Sequence, residues 1–158
     1  MSTPQPNAGL ASWLQRVGAT LLDAVPLIIA TVAFFAIWGE KAATNDGASW
    51  SVSVEITGLP AIVLMVLFLA WFVVNWVVGQ GTSGQTIGKK IVGIAIVGAD
   101  TGRPLGPGLT IGRQLIHIVD VLPCFLGLLW PLWDAEKRTF ADMATRSRAV
   151  RVTSGERH

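Results

Sequence analysis

A small set of residues stands out because their chemistry is at odds with their surroundings. Asp23 lies in an apolar run, and Arg113, His117 and Asp120 lie in another, spaced i, i+4, i+7 on one helical face. Asn75 lies near the end of the apolar run 58–79. A carboxylate inside a membrane helix costs roughly 2.5–3.5 kcal/mol on insertion scales, so Asp23 needs a partner. Arg16 precedes it by seven positions, about 10 Å along a helix axis, which is too far for direct pairing. The expectation is one cluster: Asp23 neutralised by Arg113 and hydrogen-bonded by Asn75, with His117 contacting Asp120. A buried carboxylate beside an imidazole could bind a cation or a proton. The alternative is an inert polar clamp that sets helix register.

Other chemistries have little material. Cys124 is the single cysteine, and the histidines are His117 and His158, so no disulfide, zinc set or other metal site is expected. Ser83, Ser147 and Cys124 have no histidine near them in sequence, so neither catalysis nor a cofactor is expected. The glycine-rich stretch 81–90 invites a phosphate-loop reading. That motif needs Gly five residues before its Gly-Lys pair and Ser or Thr after it. Ser83 and Lys90 occupy those positions. The better reading is a turn leaving the bilayer, with Lys89 and Lys90 anchored at lipid headgroups.

The elements that must position these groups are hydrophobic. Of the 158 residues, 51% are apolar and 14% charged, against roughly 25% charged in a soluble domain. Residues 17–38 carry Asp23 as their one charge, and residues 58–79 carry none. As helices, each is about 33 Å long, enough for a hydrocarbon layer of about 30 Å. A soluble domain of this size cannot cover two such helices. The segment before the first run lacks a basic n-region, so that run is expected to be a retained anchor. A net charge of +2 is too small to imply nucleic acid.

Charge asymmetry sets the expected orientation. Residues 39–57 hold Glu40, Asp46 and Glu55 against Lys41, whereas residues 80–107 hold Lys89, Lys90 and Arg103 against Asp100. The second connection and the N-terminus are therefore expected in the cytoplasm, and the first connection outside. Residues 108–133 form a third hydrophobic element, interrupted by Pro123 and Pro131. The tail beyond it holds Lys137, Arg138, Arg146, Arg148, Arg151 and Arg157. A helix broken near Pro123 that turns back would keep this basic tail inside. A simple third span is the alternative. Trp38, Trp76, Trp130 and Trp133 sit where interfacial belts would fall.

Residues 91–97 are β-branched and glycine-punctuated, and residues 148–153 alternate polar and apolar. Together these readings predict an all-α membrane protein: a small helical bundle of two full spans plus a broken or re-entrant third hydrophobic element, with a short cytoplasmic β pairing of 91–97 with 148–153. Residues 1–12 are expected to be a disordered cytoplasmic tail, 13–152 the membrane domain and 153–158 a C-terminal tail.

Arg16, Asp23, the block Gly84-Gln-Thr-Ile-Gly-Lys-Lys90, Arg113 and the ending around Asp142 resemble the RDD family of bacterial integral membrane proteins. The family is named for one arginine and two aspartates. The resemblance, over roughly residues 12–152, matches Arg16, Asp23 and Asp142 to them. The ending departs from the family pattern: Phe140-Ala141-Asp142 stands for Leu-His-Asp, and Ala144-Thr145-Arg146 for Ala-Gly-Thr. No role for that histidine carries over. The resemblance implies transport of unidentified ligands, with sodium–proton exchange associated with some members. Asp142, after Lys137 and Arg138, could cap a helix or pair with Arg16.

Two function classes follow. One is a transport-associated protein of the bacterial inner membrane, multi-pass, enclosing a pathway as a homo-oligomer. The other is a non-catalytic accessory subunit of a larger membrane complex, its polar cluster structural. The lipid bilayer is a partner in both.

Overall fold

A computed structural model describes residues 9–45, 50–121 and 126–152. The chain is mostly helical, and its contacts divide it into two units, Ala24–Trp71 and Met1–Asp23 with Phe72–His158.

Two helices are long and apolar enough to cross a membrane: α1, Trp13–Trp38, and α2, Gly58–Ser83. In α1 only Ala19 and Asp23 are buried, while Leu21, Val25, Ile28, Ile29 and Val32 are exposed. Leaving such side chains in water costs about 1.5–3 kcal/mol each, so this surface suits a lipid environment. Pro26 lies inside α1, a placement that membrane helices tolerate. Helix α2 is α-helical to Trp71 and π-helical over Phe72–Gln80, the stretch that carries Asn75.

In the unit Ala24–Trp71, the connection between the helices is a hairpin. Strand β1, Glu40–Asn45, pairs antiparallel with β2, Trp50–Glu55, with Glu40 opposite Glu55. Gly39 makes the exit from α1, where a Cβ would come within 2.8 Å of Val54 Cγ1.

The other unit holds the distal part of α2, helix α3 (Ile87–Val92), strand β3 (Ile94–Gly98), helix α4 (Gly106–Val121), the short helix α5 (Leu126–Leu129), helix α6 (Phe140–Ala144) and strand β4 (Ser147–Arg151). Gly84 turns the chain at φ +74°, and its carbonyl accepts from Ile96 N at 2.7 Å. Thr86 caps the start of α3, and Gly93, at φ +74°, ends it. Residues 91–92, expected in a strand, therefore complete a helical turn instead. Strands β3 and β4 pair antiparallel from Ile94↔Arg151 to Gly98↔Ser147, and β3 is buried throughout.

The expectation of disorder over 1–12 is corrected for its last four residues; residues 1–8 lie outside the described ones. Leu10 bridges Val150, and Ala11 N donates to Ala149 O at 2.9 Å. Ser12 then caps α1 reciprocally with Gln15. An apolar Leu-Ala pair beside an open strand edge gains both burial and backbone hydrogen bonds, which orders it.

The third hydrophobic element is described as helices over Gly106–Val121 and Leu126–Leu129. The break expected near Pro123 falls in residues 122–125, outside the described ones. On either side, Gly127 packs against Asp120 so closely that a Cβ would lie 2.5 Å from Asp120 Cα. Trp13 Nε1 donates to Leu128 O at 2.9 Å, so α5 lies beside the first residue of α1. Helix α4 is two-faced: Thr110, Arg113 and Asp120 are buried, while Ile111, Leu115 and Ile118 are exposed.

Candidate functional site

Two buried carboxylates organise the site, each held by a different kind of donor. Asp23, 2% exposed, projects from the seventh residue of the first predicted apolar run. Its Oδ1 accepts from Asn75 Nδ2 at 2.9 Å and from Gly88 N at 2.8 Å, and its Oδ2 accepts from the Thr86 hydroxyl at 2.5 Å. The local sequence explains the arrangement. Thr86 turns extended before α3, so its oxygen accepts from Lys89 N while its proton goes to Asp23. Gly88 lets the backbone reach the carboxylate, since a Cβ there would meet the Ala19 carbonyl and lie 3.0 Å from Asp23 Cγ. Asn75 Oδ1 accepts from Ile87 N at 2.8 Å, so one amide bridges Asp23 and the start of α3.

Asp142 is fully buried and takes charged donors. Arg113 Nε and Nη2 reach its Oδ1 at 3.0 and 2.7 Å, and Arg16 Nη1 pairs with its Oδ2. Thr139 and Asp142 form a reciprocal capping box on α6, and Ser147 Oγ donates to Oδ1 at 3.2 Å. Arg16 also donates to Lys137 O at 2.5 Å. Burial by itself would raise the affinity of Asp142 for a proton. The Arg113 and Arg16 guanidiniums outweigh it and hold the carboxyl well below the usual range.

Arg113, expected on Asp23, therefore pairs with Asp142 instead. The reason is stoichiometric and geometric. Asp142 offers two oxygens to two guanidiniums on its flanks, whereas Asp23 already meets two N–H groups and a hydroxyl. Asn75 lies on Asp23, His117 Nδ1 lies 2.5 Å from Asp120 Oδ2, and Arg16 lies on Asp142.

Lys89 is not the headgroup anchor that its place in the sequence predicts, because it is buried. It is 7% exposed, with Nζ 3.5 Å from Thr86 Oγ1 and 5.0 Å from the centre of the Trp76 ring. Burial first, then the Arg113 charge, brings its proton affinity from 10.5 down to about 7, against the opposing pull of Asp23 and Asp142. Lys90 is exposed. Sequence reasoning missed Thr86, Gly88, Lys89, Thr139 and Ser147. The spacing Thr139-x-x-Asp142 was a legible capping signal. Nothing in the sequence marked Lys89 as the buried member of the Lys-Lys pair beyond its position one turn from Thr86.

A cavity of about 310 Å³ adjoins the site. Arg16, Lys89, Arg113 and His117 line it together with apolar groups that include Trp13 and Leu128.

Comparison with known proteins places the chain among relatives. The sequence model of the RDD family matches residues 10–146. A proline-rich antigen homolog of Mycobacterium tuberculosis is 31% identical over 147 residues, covering 87% of this chain and 61% of that protein. The proline-rich antigen of Mycobacterium leprae is 29% identical, covering 87% and 59%. The chain thus spans about three fifths of the length of these curated relatives. No solved structure matches it.

Proposed function

This chain belongs to the RDD family, and from that premise we propose a non-enzymatic, transport-associated membrane protein whose exchangeable species is a proton on Lys89. The observation that carries this reading is the Lys89 ammonium, buried between the Trp76 ring and the Thr86 hydroxyl that binds Asp23. A proton affinity near 7 lets it load and release a proton at physiological pH. Arg113, Asp23, Asp142 and Arg16 all act on this charge, and His117 shares its cavity. A bound metal cation fits less well. Metal ions need oxygen atoms facing them, whereas the oxygens of Asp23 face N–H and O–H groups.

The proposed setting is a bacterial inner membrane crossed by α1 and α2, with the N-terminus, residues 80–107 and the basic tail in the cytoplasm. The third element stays on that side. Its contact with Trp13 and the exposed Ile111, Leu115 and Ile118 support a helix lying at the lipid interface. The β3–β4 pair then lies in the cytoplasm. Two spans enclose little, so the pathway is formed between copies in a homo-oligomer.

The test is reconstitution into vesicles holding a pH-sensitive dye, followed by an imposed sodium or potassium gradient. Wild-type protein should move protons, and folded Lys89→Met protein should not. Absence of proton movement in the wild type would overturn the reading. Stoichiometric co-purification with a larger membrane assembly would then favour the accessory-subunit alternative.

A further inference from the structure

We propose that the cavity beside Lys89 binds an anionic amphiphile, its charged head held by Arg16, Lys89 and Arg113 and its apolar chain lying against Trp13, Val17 and Leu128.

The lining divides by chemistry. On the polar side are two guanidiniums, an ammonium, the His117 imidazole and Thr139, while Asp23 and Asp142, which balance the cations, are not among the lining residues. A ligand in the cavity therefore meets the cations and not their counter-charges. Two of these cations hold unused capacity. Arg16 Nε is buried and finds no acceptor among the described residues. The Lys89 ammonium meets a hydroxyl and a ring face, neither of which carries a negative charge. A carboxylate or phosphate oxygen in the cavity would give the Lys89 ammonium a charge-assisted hydrogen bond beside the Arg16 and Arg113 guanidiniums.

The apolar lining is Trp13 and Val17 of α1, Trp76 of α2, Ile96 of β3, and Leu128 and Leu129 of α5. A free inorganic anion would leave that side uncovered, whereas an acyl chain would cover it. The volume lies in the range of small-ligand sites, so the head and the first part of a chain fit inside it. Two sources share this chemistry: a fatty-acid carboxylate and the phosphate of an anionic phospholipid.

The inference is independent of proton movement, because binding is read at equilibrium without a gradient. The full chain, purified in neutral detergent, is titrated with oleate, phosphatidylglycerol, phosphatidylcholine and inorganic phosphate while its thermal midpoint is followed. Oleate, phosphatidylglycerol or both should raise the midpoint saturably; the arm that responds identifies the source. Phosphatidylcholine and inorganic phosphate should not. Lys89→Gln should weaken the effect about tenfold and Lys89→Arg should retain it. Val17→Trp, which fills the apolar side, should abolish it while leaving the polar cluster intact. An equal response to phosphatidylcholine, or the same apparent affinity in Lys89→Gln and Val17→Trp, would overturn the proposal. A response to inorganic phosphate as large as that to oleate would overturn its apolar half.

Discussion

Arg16, in the first turn of the first membrane-length helix, forms an ion pair with Asp142, 126 residues further along, and both side chains are largely withdrawn from solvent. Arg113 takes the other oxygen of the same carboxylate. One buried anion thus ties α1 to α4 and to the cap of α6. Buried ionic groups of this kind are strongly interdependent, because loss of one member leaves the others desolvated and unpaired.

Asp142→Asn should therefore be the most damaging single isosteric change in the site. Two guanidiniums would lose their counter-charge, at a cost of about 3–5 kcal/mol. Asp23→Asn removes a carboxylate that takes uncharged donors from Asn75, Thr86 and Gly88 and should cost less, about 1–3 kcal/mol. Thermal unfolding of both variants in the same detergent would check the order, and a larger loss for Asp23→Asn would contradict it.

Acid stability follows from the same pair. The proton affinity of Asp142 is lower in the folded chain than in the unfolded one, so the folded state binds fewer protons at low pH. Its contribution is present above the unfolded carboxylate value of roughly 3.9 and is lost as pH falls below it. Wild-type midpoints should drop below about pH 4. The Asp142→Asn midpoint, already lower, should change less over that interval.

Lys89 acts in the opposite pH range. Its proton affinity falls from 10.5 to about 7 on folding, so between those values the unfolded chain holds the extra proton. Stability should rise with pH across that window. Replacing Lys89 with Met should flatten the rise. Identical slopes for wild type and Lys89→Met between pH 7 and 9 would show that the lysine is not buried.

Gly88→Ala tests the close approach of α3 to α1. The new methyl would collide with the Ala19 carbonyl, which is backbone, and press on Asp23 Cγ at 3.0 Å. A loss of about 1–3 kcal/mol is expected, as for overpacking elsewhere. Gly108→Ala, where a Cβ has open space, should be near neutral and serves as the comparison. Chemical denaturation would separate the two.

Thr86→Val keeps the side-chain shape but removes both the cap of α3 and the hydroxyl donor to Asp23. It should cost about 1–2 kcal/mol, and Thr86→Ser should restore most of it. Hydrogen exchange at the Ile87, Gly88 and Lys89 amides should accelerate in Thr86→Val first.

By itself the sequence determined what local pattern and solvent cost dictate. Long apolar runs marked the two long helices, and the cost of an ionised group in oil marked Asp23 as a meeting point. The i, i+4, i+7 spacing put Arg113, His117 and Asp120 on one face. The alternation in Ser51-Val-Ser-Val-Glu55, after Asn45-Asp-Gly47, would have revealed the β1–β2 hairpin as well. Tertiary structure alone decided the partners. By residue type Arg113 could serve Asp23 or Asp142, and only the fold, by bringing residues 29 and 126 positions apart onto one carboxylate, chooses between them. It also decided that Lys89 is buried while Lys90 is exposed. Charge and residue type are written locally, but desolvation and distance, which set the strength of every pairing here, belong to the packed chain.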